Sequence, residues 1–185
     1  CIRDRFNPSI SGTGIQILTI LYGEGTCQST DEVEIDVLEL PILNVSELED
    51  VCFMDEPIDF IDFSPSGGIW EGNSIINSGL GTFDPSVLIG VNEVFYWYTD
   101  NNTGCSDTSY VQQVVYDLPI ADFSLAEIGC SNLYIDIQNN SSGGALYNWE
   151  LGNGIISNED QPLYFNPTPG FYEVTLEVIS ENGCK

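Results

Sequence analysis

Histidine is absent from this chain of 185 residues, and cations nearly so: Arg3, Arg5 and Lys185 stand against 29 Asp and Glu, for a formal net charge of -26. Without imidazole there is no histidine acid–base chemistry and no His-ligated metal. Every carboxylate except Asp4 lies between residues 6 and 184, a span that holds no cation, so no salt bridge can form within it. Lysine-dependent catalysis and lysine–asparagine isopeptide staples are excluded from the same span. So negative a surface repels phosphate backbones and anionic lipid, which argues against nucleic acid or a membrane surface as the main partner. No apolar run approaches the roughly 20 residues of a spanning helix. What is present is not a disordered acidic tail, because a hydrophobic fraction of 42% and an aromatic fraction of 11% suffice to fill cores. Salt screens like charges within about 8 Å at physiological ionic strength, so this body suits a saline or divalent-rich medium and an extracellular setting.

The cysteines expose an internal repeat. Cys27, Cys105 and Cys184 are spaced by 78 and 79 residues, and Cys52 and Cys130 by 78. Leu40-Pro41 returns as Leu118-Pro119, and a Phe-Asx-Pro triplet occurs as Phe6-Asn7-Pro8, Phe83-Asp84-Pro85 and Phe165-Asn166-Pro167. The chain therefore reads as residues 1–41, the second half of one unit; 42–119, a complete unit; and 120–185, a unit lacking its last strand. Such a pattern is expected of a window on a longer protein. Cys1 is the residue with which a mature lipoprotein would begin, but the repeat sets residue 1 in mid-unit.

Local patterning is β throughout. Apolar and acidic residues alternate in Glu32-Val33-Glu34-Ile35-Asp36-Val37, as a strand with one wet face requires. Leu133, Ile135 and Ile137 alternate with Tyr134 and Asp136, and Tyr172, Val174, Leu176 and Val178 with Glu173, Thr175 and Glu177. Gly, Asn, Ser and Pro clusters, as in Ser64-Pro65-Ser66-Gly67-Gly68 and Asn101-Asn102-Thr103-Gly104, supply turns at short spacing. The expected architecture is all-β: tandem small antiparallel sandwiches of about seven strands each. Within each unit the order of strands and turns suggests disulfides Cys52–Cys105 and Cys130–Cys184, closing loops of roughly 54 residues that supplement a small core by up to ~4 kcal/mol. Cystines imply an oxidising compartment. Metal sites of the CxxC type fail because no two cysteines are that close.

The third unit carries Ala121-Asp122-Phe123-Ser124, Tyr147-Asn148-Trp149-Glu150-Leu151-Gly152-Asn153-Gly154 and Pro169-Gly170-Phe171-Tyr172-Glu173-Val174-Thr175-Leu176. It resembles a PKD domain over about 65 residues, keeping the Trp-x-x-Gly-x-Gly frame while Glu150 and Asn153 replace the family's two Asp. The earlier units, with Gly67-Gly68-Ile69-Trp70, Gly81-Thr82-Phe83-Asp84-Pro85 and Asn102-Thr103-Gly104-Cys105, look like Ig-like and PKD-like repeats of giant surface proteins of Bacteroidota. Those include gliding-motility adhesins exported by type IX secretion. The resemblance implies a bacterial cell-surface tandem array.

For catalysis the inventory is thin. The densest acidic cluster, Glu47, Glu49, Asp50, Asp55, Glu56, Asp59 and Asp62, reads as a solvated face and a turn, and serine nucleophiles lack a His or Lys to take the proton. No catalytic residue is assigned and no cofactor is required. Calcium, a hard cation that takes oxygen ligands, is the metal to consider, at Asp117 and Asp122 flanking Leu118-Pro119 or at Asp100, Asn101 and Asn102. Of Phe95, Tyr96, Trp97 and Tyr98, only two can face outward on a strand, as a packing surface or a glycan-stacking platform. Trp70 and Trp149 hold equivalent places and read as core tryptophans. Asn44, Asn101, Asn139 and Asn140 satisfy Asn-x-Ser/Thr, a weak signal in a bacterial product.

The functional expectation is a non-catalytic stalk or fibre segment of an adhesin or surface filament serving attachment, gliding or cell capture. Its partners would be neighbouring repeats, a homo-oligomeric fibre, and a surface or polysaccharide target reached through another part of the protein. The rivals are an accessory region of a large secreted hydrolase and a glycan-binding module.

Overall fold

A computed structural model describes residues 5–23, 27–49, 51–125, 134–152, 154–165 and 169–185. The fold is nearly all β, built from several small antiparallel sheets. Its one helical turn, α1 (Pro8–Ser11), follows from the first Phe-Asx-Pro triplet. The Asn7 side chain accepts from the Ser9 N–H at 3.2 Å and from the Ser9 hydroxyl at 2.7 Å, while Pro8 starts the turn where its missing N–H costs nothing. At the second triplet Asp84 Oδ1 accepts from the Ser86 N–H at 2.9 Å and from its hydroxyl at 2.6 Å, with Phe83 and Pro85 buried beneath. These bonds, the hydroxyl's first, hold the Asp84 carboxyl below its ordinary value. In these two copies the triplet extends to a fourth residue, Ser, whose N–H and hydroxyl the Asx side chain holds as it turns the backbone. Its third copy falls largely outside the described residues.

After α1 comes a hairpin of β1 (Gly14–Tyr22) and β2 (Ser29–Val37), with Gly14 opposite Val37. A second hairpin of β10 (Gly90–Thr99) and β11 (Ser106–Tyr116) sets Gly90 opposite Val115. The two repeat one another closely: Gln16 faces Ile35 as Asn92 faces Gln113, Leu18 faces Val33 as Val94 faces Val111, and both opening glycines hold φ near +90°. They differ in cover. Val94, Tyr96, Val111 and Val115 are buried, whereas no residue of the first hairpin is buried and Ile20 is 53% exposed.

Between the hairpins run β3 (Asn44–Val45), β4 (Val51–Cys52), β5 (Ile58–Asp59), β6 (Phe63–Ser64), β7 (Ile69–Glu71), β8 (Ile75–Asn77) and β9 (Thr82–Phe83). One sheet has the order β4-β11-β10-β7, with β4 parallel to β11; β5-β9-β8 and β3-β6 form smaller sheets. Phe60, Trp70, Phe83, Val94, Tyr96, Val111 and Val115 make the core. Trp70 stacks on Phe60 at 4.5 Å, meets Phe63 edge-on at 5.2 Å and lies 4.7 Å from Tyr96. Burying each such ring stabilises by about 1.5–3 kcal/mol, with offset and edge-on pairing adding to it. Gly81 is required at its place: its φ is +72°, and a Cβ there would lie 2.7 Å from the Trp70 indole.

Polar groups in this core are bonded with one exception. The Tyr96 hydroxyl donates to the Pro65 carbonyl at 2.6 Å and accepts from the Gly68 N–H at 2.8 Å, tying the Gly-Gly lead-in to β10. Buried Asn92 accepts from the Ser74 hydroxyl at 2.6 Å and donates to the Leu88 and Gly90 carbonyls at 3.0 Å. Buried Gln113 accepts from the Leu48 N–H at 2.9 Å, pinning the β3–β4 connection onto β11. Trp70 Nε1 is buried without a partner.

Residues 120–185 contribute β12 (Phe123–Ser124), β13 (Tyr134–Asp136), β14 (Gln138–Asn139), β15 (Leu146–Glu150), β16 (Ile156–Ser157), β17 (Leu163–Phe165) and β18 (Thr175–Ile179). They form the pairs β12-β14 and β13-β17 and the sheet β16-β15-β18. A second core, Ile137, Trp149, Leu151 and Tyr164, shares no residue with the first. Here the indole is satisfied, Trp149 Nε1 donating to the Glu159 carbonyl at 2.9 Å. The Trp-x-x-Gly-x-Gly frame is the turn from β15 to β16: Leu151 is buried, its N–H donates to the Ile155 carbonyl at 2.8 Å, and Gly152 and Gly154 both have positive φ. One ion pair occurs among the described residues, Lys185 with Glu177 at 3.1 Å. The Asn148 amide, then Lys185, hold the Glu177 carboxyl below its ordinary value.

Candidate functional site

The feature that joins the two cores covalently is a cystine. Cys52 is bonded to Cys184, with Cα atoms 5.6 Å apart and 132 residues between them in sequence. Cys52 ends β4 opposite Tyr116, the last residue of β11, and Phe53 N–H donates to the Tyr116 carbonyl at 2.8 Å. Asp55 holds the local turn, accepting from the Cys52 N–H at 2.7 Å while its own N–H donates to the Cys52 carbonyl at 3.1 Å. Cys184 is buried in the turn after β18, where its carbonyl accepts from the Ser180 N–H at 2.9 Å and its N–H donates to the Ser180 hydroxyl at 3.1 Å. The bond sits beside the peptide connection Asp117-Leu118-Pro119-Ile120, so the two segments are tied at two points.

This overturns the pairing expected from strand order. Cys52–Cys105 is excluded by the length of β11: Cys105 precedes Ser106 at one end, and Cys52 pairs with Tyr116 at the other. Eleven residues rising about 3.3 Å each hold those cysteines roughly 35 Å apart, against the ~6 Å between Cα atoms that a disulfide spans. Cys105 is a free thiol, half-buried, and Cys27 is free and exposed. Cys130–Cys184 does not form because Cys184 is taken by Cys52. Cys130 and Cys1 lie outside the described residues. The 78-residue lattice fits either pairing; only the pole at which each turn sits decides between them.

The oxygens considered for calcium are engaged in their own turns. Asp100 Oδ1 accepts from the Asn102 N–H at 2.8 Å and its side-chain amide at 3.1 Å, and Asp117 Oδ1 accepts from the Leu118 N–H at 2.9 Å. Asp122 meets Ser141 through its backbone. Nothing brings Asp117 and Asp122 to the turn of Asp100, Asn101 and Asn102, which lies at the far end of β11. Among the described residues no three His, Cys, Asp or Glu gather into a metal-holding group. The acidic cluster is likewise dispersed: Asp59 accepts from the Thr82 hydroxyl, Asp62 from the Ser46 hydroxyl at 2.9 Å, and Asp55 from Cys52. Asp50 lies outside the described residues.

On β10, Tyr96 is fully buried and Tyr98 packs on the core, while Phe95 and Trp97 face outward. Trp97 is 49% exposed, and Phe95 lies 6.1 Å from the Tyr110 ring on β11, giving a short aromatic strip. Below it is an open depression of about 640 Å³ lined in part by Glu71, Glu93, Leu88, Val91 and Phe95. It presents the carboxylates of Glu71 and Glu93 and no cation.

No family model matches the chain, and no curated protein does. Among the described residues no helix is long and apolar enough to cross a membrane, which does not bear on β-barrels.

Proposed function

We infer that this chain is a non-catalytic spacer, part of an extracellular stalk or surface filament in which small β-sandwich units of about 78 residues follow one another. The observation that carries this reading is the Cys52–Cys184 cystine at the connection between two separate cores. A peptide link alone is a hinge; a peptide link with a cystine beside it restrains bending and carries load. Cystine use fits an oxidising compartment. The single ion pair among the described residues and the large negative charge fit a medium that screens charge. The resemblance of its repeats to PKD-like and Ig-like surface arrays supports the same reading, and attachment, gliding or cell capture are the roles such a stalk would serve.

Pulling the chain between residue 42 and Lys185 tests the mechanical reading. With the cystine closed, force passes from Cys184 directly to Cys52, so residues 53–183 are shielded and add no length. Reduction opens that path, and unfolding of the shielded chain releases about 130 residues at roughly 3.6 Å each, near 470 Å. An extension of that size in the oxidised chain would overturn the reading.

The aromatic strip of Phe95, Trp97 and Tyr110 favours one second reading, a glycan-binding module, since flat rings are what sugars stack on. Binding of the chain to a polysaccharide that Trp97→Ala abolishes would establish it in place of the spacer.

A further inference from the structure

Cys105 and Cys184 occupy similar turns, the first longer by one residue. In each, the residue closing the preceding strand donates its N–H to the cysteine carbonyl, Asp100 to Cys105 at 2.9 Å and Ser180 to Cys184 at 2.9 Å. In each, a glycine at positive φ comes immediately before, Gly104 at +73° and Gly183 at +83°, with its N–H returned to the same strand-closing residue, at 2.7 Å and 3.1 Å. The two cysteines are also 79 residues apart on the sequence lattice. Cys184 is bonded to Cys52 of the segment before it, whereas Cys105 is free and no cysteine of its own segment can reach it.

We propose that Cys105 is the receiving half of a second clamp, formed with the Cys52-equivalent of a preceding unit. The turn of residues 100–105 is then the docking point for the C-terminal pole of that unit, and Cys52–Cys184 is one link of a chain in which every connection is doubled by a cystine. The bond forms by oxidation of two thiols, which lose two protons and two electrons. The electrons pass to a small-molecule or protein disulfide of the oxidising compartment, itself reduced to two thiols. This inference deepens the spacer reading and rests on it for the existence of a preceding unit.

The test supplies such a unit. A second copy of residues 42–119 is inserted between Pro119 and Ile120 of the full chain, with Glu56→Asp and Asn101→Gln marking the Cys52 and Cys105 peptides of the first copy by mass, and the oxidised product is mapped by non-reducing peptide mass spectrometry. The expected map joins Cys52 of the first copy to Cys105 of the inserted copy, and Cys52 of the inserted copy to Cys184. Cys52 bonded to Cys105 within one copy, or both added cysteines left as thiols, overturns the proposal. Neither outcome touches the force-extension result on the natural chain, so failure here is distinguishable from failure of the spacer reading. A second measurement guards against misfolding of the insert. In Cys184→Ser of the natural chain, Cys52 and Cys105 should both alkylate with iodoacetamide, and a Cys52–Cys105 bond would overturn the equivalence of the two turns.

Discussion

Opening the Cys52–Cys184 bond should destabilise both segments it joins, by an amount the geometry sets. Cys52 lies beside Tyr116, so when residues 120–185 unfold with the cystine intact, the chain from Tyr116 to Cys184 remains a closed loop anchored at both ends on a folded neighbour. That loop holds roughly 68 residues, and releasing it adds entropy worth up to about 4 kcal/mol in the chain-entropy model. For a domain of this size, 1 kcal/mol moves the melting temperature by about 4–8 °C, so the shift is on the order of 15–30 °C. The core around Trp70 closes a loop of the same length, from Cys52 to Ile120, when it unfolds against a folded second segment, so its midpoint should fall by a similar amount. Cys52→Ser and Cys184→Ser, and wild type with reductant, are compared by calorimetry and by hydrogen exchange read separately on residues 90–116 and 146–179. Loss of protection in both segments, equal in both variants, is expected. Loss confined to one segment would show that the other closes no loop through the bond, and no loss in either would show that the bond constrains nothing in the unfolded state.

Tyr96→Phe leaves the Pro65 carbonyl and the Gly68 N–H without their shared partner and should cost about 1–3 kcal/mol in a urea titration, with the fold retained. Gly81→Ala and Gly104→Ala both place a side chain at positive φ, roughly 1–2 kcal/mol each, but only at position 81 does the new Cβ strike an indole, so Gly81→Ala should be clearly the worse. Because the Asn148 amide and then Lys185 lower the folded pKa of Glu177, this group contributes stability above its unfolded pKa and loses it as pH falls through the folded one; Asn148→Ala should move its carboxyl NMR titration upward. Raising salt should raise the melting temperature by screening the net charge of -26, equally for calcium and magnesium at matched ionic strength. A rise specific to calcium and lost in Asp117→Asn would instead assign a cation to the connection.

Strands were legible in the sequence where one face is wet, because period-2 alternation survives there: Glu32 to Val37 lies in β2, and Thr175 to Val178 of the third alternating stretch falls in β18. The two-residue strands were not, since β3, β5 and β9 are too short to show a period. Buried Asn92, Ser74 and Gln113 were missed for another reason: polar residues carry no burial signal until the carbonyls and N–H groups they satisfy are in place. The repeat lattice located the cysteines correctly and still misled about their partners. Spacing is a one-dimensional quantity, and a shift by one unit leaves it unchanged. What broke the degeneracy was the single long strand β11, whose two ends carry the two cysteines to opposite poles.

The same strand explains why a covalent tie at the connection is worth having. A pair of acidic sandwiches meeting end to end cannot be held by salt bridges, because no cation lies between residues 6 and 184. Ile120 in that connection is largely exposed. Repulsion falls off over a Debye length, so it acts most strongly where the poles approach. A cystine is indifferent to charge and to salt. Placed beside the connecting peptide, it restrains the one degree of freedom that like-charged neighbours would otherwise use to swing apart, and it does so without an interface that would need to be apolar when the units stand alone.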